Sequence, residues 1–486
     1  MRIALDDADM DAQLSRTLVA VAAEACDLGE ALATAGRVTP GDYDSWYAEW
    51  SATAEAAQAV ADRSAEGGHT VTARKSYLRA SEYWRQAFFF LRHDITDERL
   101  QHAWREHRRT FRAAMPFLAF PGAATEIPFD GVTMTGYLFR ASGDGGSRPT
   151  VLAPCGYDST AEAGYVATGY MAMARGYNFF VFEGPGQGGM LYEHRIPMRP
   201  DFEVPFAAAF AWLIEQEGVD PDRVAVVGRS FGGYLGPRAA AFEPRVAALV
   251  ADPGQFDFAT RMTKMFGGAG QLDKVTDADP DTDAQLEALL DGPRNTEWYG
   301  ARITTLGAAT VGDFIRRQLT FDLGDCVGAI SCPTLITEGE GDFAAQGDVL
   351  YDRLPSGIRK EMKRFSEAEG AGGHCEGLGA TLFEGFAFDW LDDVLGIRLT
   401  WPQAVGICIS LLGILTILSR GHPEALATIH LNKGDLLVTL GMIVFGIYSV
   451  LAMKRPAIHP LAFIAFTSGY GTLLLIPALI VEILHG

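Results

Sequence analysis

The sequence predicts an α/β fold: a mainly parallel β-sheet with helices on both faces, preceded by an all-helical segment and followed by an all-α transmembrane tail of about three helices. Three observations predict it. Short apolar runs alternate with helix-length stretches between residues 149 and 395, the rhythm of strands joined by crossover helices. One such run, Val224-Ala225-Val226-Val227, leads into a serine between two glycines and on into a small-residue helix. Beyond residue 400, three long apolar stretches carry no charge.

The 486 residues leave room for several domains. Net charge is −21, from 40 basic against 61 acidic residues. That argues against nucleic acid as a partner, which needs basic stripes to displace counterions. Cys26, Cys155, Cys326, Cys332, Cys375 and Cys408 form no C-x-x-C pair and no metal-ligand spacing with histidine, so buried thiols in a reducing compartment are expected. Met1 to Asp9 starts acidic and has no apolar run, so no signal peptide is expected.

Residues 1–118 read as helical, with abundant alanine and no strand alternation. Breaks are expected at Thr39-Pro40-Gly41-Asp42 and at Glu66-Gly67-Gly68, with Trp46, Tyr47 and Trp50 on the helix between them. Tyr77, Ala80, Trp84, Ala87, Phe88 and Leu91 recur at helical spacing, which marks an apolar stripe for the core. Asp97 to Phe117 is a charged helix carrying Arg105, His107, Arg108 and Arg109. These charges are expected to lie on a solvated face.

Residues 119–396 change period. Thr125–Phe129 and Val132–Phe139 alternate around Asp130-Gly131, a hairpin signal. Strands are expected at 149–154, 178–182, 224–227, 245–251, 332–337 and 360–365, with helices at 204–216, 235–242 and 376–395. Residues 257–325 interrupt the rhythm with helices and are read as an insertion covering the carboxyl edge of the sheet.

The chemistry centres on Gly228-Arg229-Ser230-Phe231-Gly232. A strand, a serine between glycines and a helix are the context of a nucleophile elbow. The turn is tight enough that side chains two residues before and after the serine are expected to clash. Serine needs a base, and the base needs an orienting carboxylate. Asp342 follows a predicted strand, and His374 follows the last one in the glycine-rich loop Gly370 to Gly377. The order Ser230, Asp342, His374 is that of an α/β-hydrolase triad. Glu340, two residues before Asp342, is the alternative acid. Backbone N–H groups of Phe231 and Tyr157 are the expected oxyanion donors.

From about Tyr77 to Leu395 the chain resembles the α/β-hydrolase family that includes 2,6-dihydroxypseudooxynicotine hydrolase and the fermentation-respiration switch-like proteins. The resemblance rests on Tyr77-Leu78-Arg79-Ala80 with Tyr83-Trp84, Gly156 to Thr160, Glu183 to Gly188, the elbow, and Gly373 to Gly377. It implies an α/β-hydrolase sheet, an N-terminal helical cap domain over the site, and the triad just named. It also implies cleavage of an ester or of a carbon–carbon bond in a 1,3-diketone-like acyl compound. The family usually has aspartate where this chain has Glu183, a position read as structural.

The tail, 397–486, holds uncharged stretches at Trp401–Leu418, Leu436–Met453 and Pro456–Val481, each long enough for a membrane span. From about 403 it resembles part of an EamA-like drug/metabolite transporter, through Gly406 to Gly413, Asn432 to Leu437, Tyr448 to Val450 and His459 to Leu461. That family has ten helices in two repeats. Lys454 and Arg455 follow the second span, and Arg420 and Lys433 lie in the opposite loop. A cytoplasmic hydrolase domain puts the first pair inside, as the positive-inside rule prefers.

The expectation is therefore a multi-pass membrane protein with a cytoplasmic serine hydrolase domain acting on a small-molecule acyl compound. No metal or organic cofactor is expected to be required, membrane lipid is the partner of the tail, and homo-oligomerisation is left open. The alternative is a membrane transport component with a vestigial or regulatory hydrolase domain. Peptide cleavage ranks lower, because nothing in the sequence forms a propeller or an amino-terminus-binding glutamate pair.

Overall fold

Strand β5 (Val219–Arg229) lies inside the sheet because both of its faces are apolar along Val224–Val227. Val224 and Val226 turn to one core and Ala225 and Val227 to the other, as a doubly covered strand requires. Around it the computed structural model describes residues 3–397 except 121, 144 and 266–268. The three uncharged stretches of the tail lie outside the described residues. No described helix is long and apolar enough to cross a membrane.

The other strands are β1 (Gly122–Phe129), β2 (Val132–Phe139), β3 (Arg148–Pro154), β4 (Asn178–Phe182), β6 (Ala248–Asp252), β7 (Thr334–Gly339) and β8 (Lys360–Phe365). They form one sheet in the order β1-β2-β4-β3-β5-β6-β7-β8. β1 and β2 pair antiparallel, as do β2 and β4, and every pair from β4 to β8 is parallel. The hairpin turns at Asp130 (φ 48°) and Gly131 (φ 79°), the two left-handed residues that a tight two-residue loop needs.

Five helices precede the sheet: α1 (Ala8–Val19), α2 (Leu28–Ala35), α3 (Tyr43–Glu66), α4 (Thr70–Phe88) and α5 (Glu98–Ala114). Asp7, Asp27, Asp42 and Asp97 cap four of them with side-chain acceptors, which satisfies free N–H groups of the first turn. The predicted stripe on α4 is buried, as are Trp46 and Trp50 of α3. This aromatic core runs without a break into one face of the sheet, where Phe111 of α5 packs on Tyr137 at 5.2 Å and on Tyr165 at 5.5 Å. Helix Ala380–Val394 covers the rest of that face. Helices Glu203–Ile214 and Gly232–Phe242 cover the other.

The expected solvated face of α5 is a correction. Arg105 and Arg109 are exposed, but His107 and Arg108 are buried. Arg108 bonds Glu162 (3.2 Å) and Glu183 (2.5 Å), and His107 Nε2 meets Thr160 Oγ1 at 2.8 Å. Tyr137 donates to Glu162 at 2.6 Å. Buried charge persists where it is paired, and here the partners come from the sheet side, invisible to a helix-period reading.

The insertion leaves the sheet after β6 and returns before β7, pinched at its base by a bridge between Asp257 and Asp322. Its helices include Phe258–Met265, Pro293–Leu306 and Val311–Gln318. Phe258 and Phe321 stand 5.6 and 5.5 Å from the Phe231 ring. The insertion thus packs at the carboxyl ends of the strands, where α/β sheets place their sites.

Candidate active site

β5 ends in the elbow, and Ser230 takes a φ of 56° there. That left-handed conformation is strained for a residue with a side chain. The structure holds it by Ser230 N–H donating to the Asp252 carbonyl (2.6 Å) and Gln255 Nε2 donating to the Ser230 carbonyl (2.7 Å). A Cβ on Gly228 would lie 2.0 Å from the Gly232 carbonyl oxygen, and one on Gly233 would lie 1.9 Å from that of Pro253. A Cβ on Gly232 would meet nothing nearer than the Pro154 oxygen at 3.4 Å. The crowded glycines are therefore Gly228 and Gly233, and the clash expected at Gly232 is absent.

Ser230 Oγ lies 2.8 Å from His374 Nε2, and His374 Nδ1 lies 2.9 and 3.0 Å from the two oxygens of Asp342. The Asp342 carboxylate is fully buried. It also accepts the N–H groups of Ala344 (2.8 Å) and Cys375 (3.2 Å), which fixes its plane. The structure thus brings Ser230, His374 and Asp342 into one hydrogen-bonded chain. Glu340 is exposed and accepts the Glu367 N–H at 2.9 Å instead. Burial pulls the His374 pKa down, but the Cys375 sulfur and the Asp342 hydrogen bond and charge outweigh it, so the ring titrates above its ordinary value.

Tyr157 and Phe231 meet beside the serine, ring centroids 5.6 Å apart. A Cβ on Gly156 would stand 3.3 Å from Ser230 Cβ, so the loop after β3 runs directly alongside Ser230. Among the described residues, neither the Tyr157 nor the Phe231 N–H finds a protein acceptor. Gln187 shapes this loop: its amide donates to the carbonyls of Cys155 (2.7 Å) and Gly156 (3.2 Å) and accepts the Gly184 N–H (2.8 Å). Glu183 anchors the same turn by accepting Gly189 and Ala161 N–H groups at 2.8 and 3.1 Å.

Sequence reasoning missed the group beneath the serine. Arg229 bonds Asp252 (2.7 Å), Glu376 (3.0 Å) and the Cys375 carbonyl (2.8 Å). It ties the elbow to the histidine loop, whose Cys375 and Glu376 both have positive φ. Burial, with the Asp252 charge beside it, pushes the Glu376 carboxyl well above its usual range. One oxygen each of Asp252 and Glu376 lacks a hydrogen-bond partner. The one available signal was the arginine inside the elbow motif. Among the described residues, no three of His, Cys, Asp and Glu are grouped to hold a metal ion.

Comparison with known proteins agrees with this architecture. The model of the prolyl oligopeptidase family matches residues 167–287, from the helical segment before β4 through the elbow into the insertion. The 20-hydroxy-prefusarin hydrolase FUS2 of Gibberella moniliformis is 30% identical over 403 residues, 79% of this chain and 96% of that one. The alpha/beta hydrolase xenA of Xenoacremonium sinensis is 31% identical over 368 residues, covering 70% and 84%. Among solved structures, 2,6-dihydroxy-pseudo-oxynicotine hydrolase shares the fold, with a TM-score of 0.61 at 24% identity over 78% of this chain and 95% of that one. With relatives of this identity matched over most of their length, the chain belongs to the α/β-hydrolase family and is a serine hydrolase of that fold.

Proposed function

We propose that Ser230, His374 and Asp342 are a catalytic triad that cleaves a small acyl compound, either a carboxylic ester or the carbon–carbon bond of a 1,3-diketone-like substrate. The observation that carries this reading is the unbroken chain from Ser230 Oγ through His374 to Asp342. His374 Nε2 takes the serine proton as Oγ attacks the carbonyl. Asp342 holds the Nδ1–H tautomer and stabilises the imidazolium that forms. The Phe231 and Tyr157 N–H groups receive the oxyanion, a contribution of roughly 100-fold or more in rate per donor. His374 then protonates the leaving alkoxide or enolate carbon, and water releases the acyl group as a carboxylic acid. The N-terminal helices act as a cap at this corner: Arg16 of α1 and Arg92 after α4 both reach Asp158, next to Tyr157, at 3.1 and 3.5 Å.

Ser230→Ala tests the reading. The variant is expected to lose turnover of activated aryl esters and labelling by a fluorophosphonate probe while unfolding like the wild type. Undiminished turnover would remove Ser230 from the mechanism. A screen of aryl esters against 1,3-diketones then decides which bond is cut.

For the tail we propose a membrane tether of about three spans that keeps the hydrolase domain at the cytoplasmic face. This rests on the three uncharged stretches and their flanking lysine and arginine. The partial likeness to EamA-like transporters supports a membrane setting more than transport, since a path lined by two repeats needs both. Alkaline carbonate should leave the full chain in the membrane pellet. Its release into the supernatant would refute the tether.

A further inference from the structure

Two arginines stand at the site without the carboxylate partners that arginines there would need. Arg261 lies on helix Phe258–Met265, stacked over the Phe258 ring at 4.5 Å. Phe258 packs on Phe231, the residue after the nucleophile. Among the described residues Arg261 has no hydrogen bond and no ion pair. Arg302 lies on helix Pro293–Leu306 and is half-buried. Its guanidinium stacks on Trp298 at 3.6 Å and donates once, to the Trp298 carbonyl at 2.7 Å. The remaining donors of that fork have no protein acceptor.

The nearby carboxylates are already engaged. Asp158 is held by Arg16 and Arg92, Glu297 by Arg92 at 3.4 Å, Asp342 by His374, and Asp257 by the N–H and hydroxyl of Thr260. On the loop beside Ser230, Tyr157 packs its ring on Phe231, and its hydroxyl is buried and lacks a hydrogen-bond partner; the helix of Arg302 reaches that loop through Glu297, Arg92 and Asp158. The charges of Arg302 and Arg261 both reach that phenol, and Arg261 also feels Asp342. Burial opposes the charge of both, Arg302 adds repulsion at Arg261 and Arg92 adds it at Arg302, so each titrates below its ordinary value. Two unpaired guanidinium groups and a buried, unmet donor beside a nucleophile leave an excess of positive charge and of hydrogen-bond donors. An anionic ligand would relieve all of it.

We propose that Arg261, Arg302 and the Tyr157 hydroxyl form a carboxylate-binding subsite beside Ser230, so that the acyl substrate carries a carboxylate in addition to the carbonyl that is attacked. This rests on the serine-hydrolase reading of Ser230 and names the substrate class for it. A carboxylate fits because the arginine fork donates to its two oxygens in parallel.

The test uses the full chain and a matched pair of esters, mono-4-nitrophenyl glutarate and the neutral 4-nitrophenyl valerate. Wild type is expected to favour the anionic ester at least tenfold in kcat/KM, and that ratio should shrink as salt is added. Arg261→Gln and Arg302→Gln should each lower the ratio by roughly tenfold to a hundredfold, the scale of a lost hydrogen bond to a charged group. Arg261→Lys and Arg302→Lys should restore part of it, which separates charge recognition from packing. A wild-type ratio near one, or a ratio unmoved in both glutamine variants, overturns the subsite. Calorimetric titration of the Ser230→Ala variant with glutarate and with neutral glutaramide gives a second reading independent of turnover. Equal binding of the two also overturns the subsite. If neither ester is turned over and the fluorophosphonate does not label Ser230, the hydrolase reading fails, and the titration still decides the carboxylate site.

Discussion

At the scale of the single residue, the catalytic role proposed for His374 makes it the group that sets the pH behaviour of the enzyme. It must be neutral to accept the Ser230 proton. Burial alone would keep it neutral, but Cys375 and Asp342 favour the imidazolium and raise its pKa above 6.5. A raised pKa keeps the ring charged to higher pH, so kcat/KM should fall as pH drops through a midpoint above 6.5. Cys375→Ala removes one of the raising groups and should move that midpoint down. Asp342→Asn should lower kcat by about 10⁴, because an amide cannot hold the productive tautomer. A steady-state pH profile checks all three. An acid limb at or below 6.5 in the wild type would contradict this account of the ring's surroundings. Arg229, with Asp252 and Glu376, ties the elbow to the loop that carries His374.

At the scale of the element, the elbow shows which part of a site is legible in sequence. Ser230 was recognisable because its signal is local: an apolar strand, a tight turn and a helix follow each other in the chain. Asp342 and His374 could be expected beside it because strand order constrains where the members of the proposed triad fall, and the structure brings the three side chains together. Gln187, Arg229 and Glu376 were not recognisable, because each acts through a partner between 31 and 147 residues away and no local period marks them. The apolar run 178–182 matches β4, and the expected strand at 360–365 matches β8 although four of its six residues are charged. The start of β5 does not match its apolar run, since Asp220 to Arg223 is polar yet continues the strand. The glycines of the elbow give a test at this scale. Gly233→Ala drives a methyl into the Pro253 carbonyl, backbone that cannot move aside. It should cost at least roughly 1–3 kcal/mol, the range for overpacking. Gly232→Ala places its methyl in ordinary contact and should stay within about 1 kcal/mol of wild type. Urea denaturation of the two variants side by side decides it, and equal losses would show that the crowding has been assigned to the wrong glycine.

At the scale of the whole molecule, the N-terminal helices are more than a lid laid on a finished domain. α5 supplies Phe111 to the core of the sheet and Arg108 to two buried carboxylates, Glu162 and Glu183. Glu183 in turn fixes the turn that Gln187 uses to shape the loop beside Ser230. Helical segment, sheet and oxyanion loop are therefore one mechanical unit, joined through a guanidinium that a helix-face reading assigned to solvent. Breaking a buried pair leaves an uncompensated charge and is strongly destabilising, whereas replacing the whole group by neutral side chains can be nearly neutral. Arg108→Met should thus lower the stability of the described domain by about 3–5 kcal/mol. Combining it with Glu162→Gln and Glu183→Gln should return a substantial part of that loss, because no unpaired carboxylate then remains buried. Urea denaturation monitored through the buried tryptophans Trp46, Trp50, Trp84 and Trp104 measures both. A single variant within about 1 kcal/mol of wild type would mean that Arg108 contributes packing alone, and a triple variant weaker than the single one would mean that the two carboxylates stabilise the turn without it.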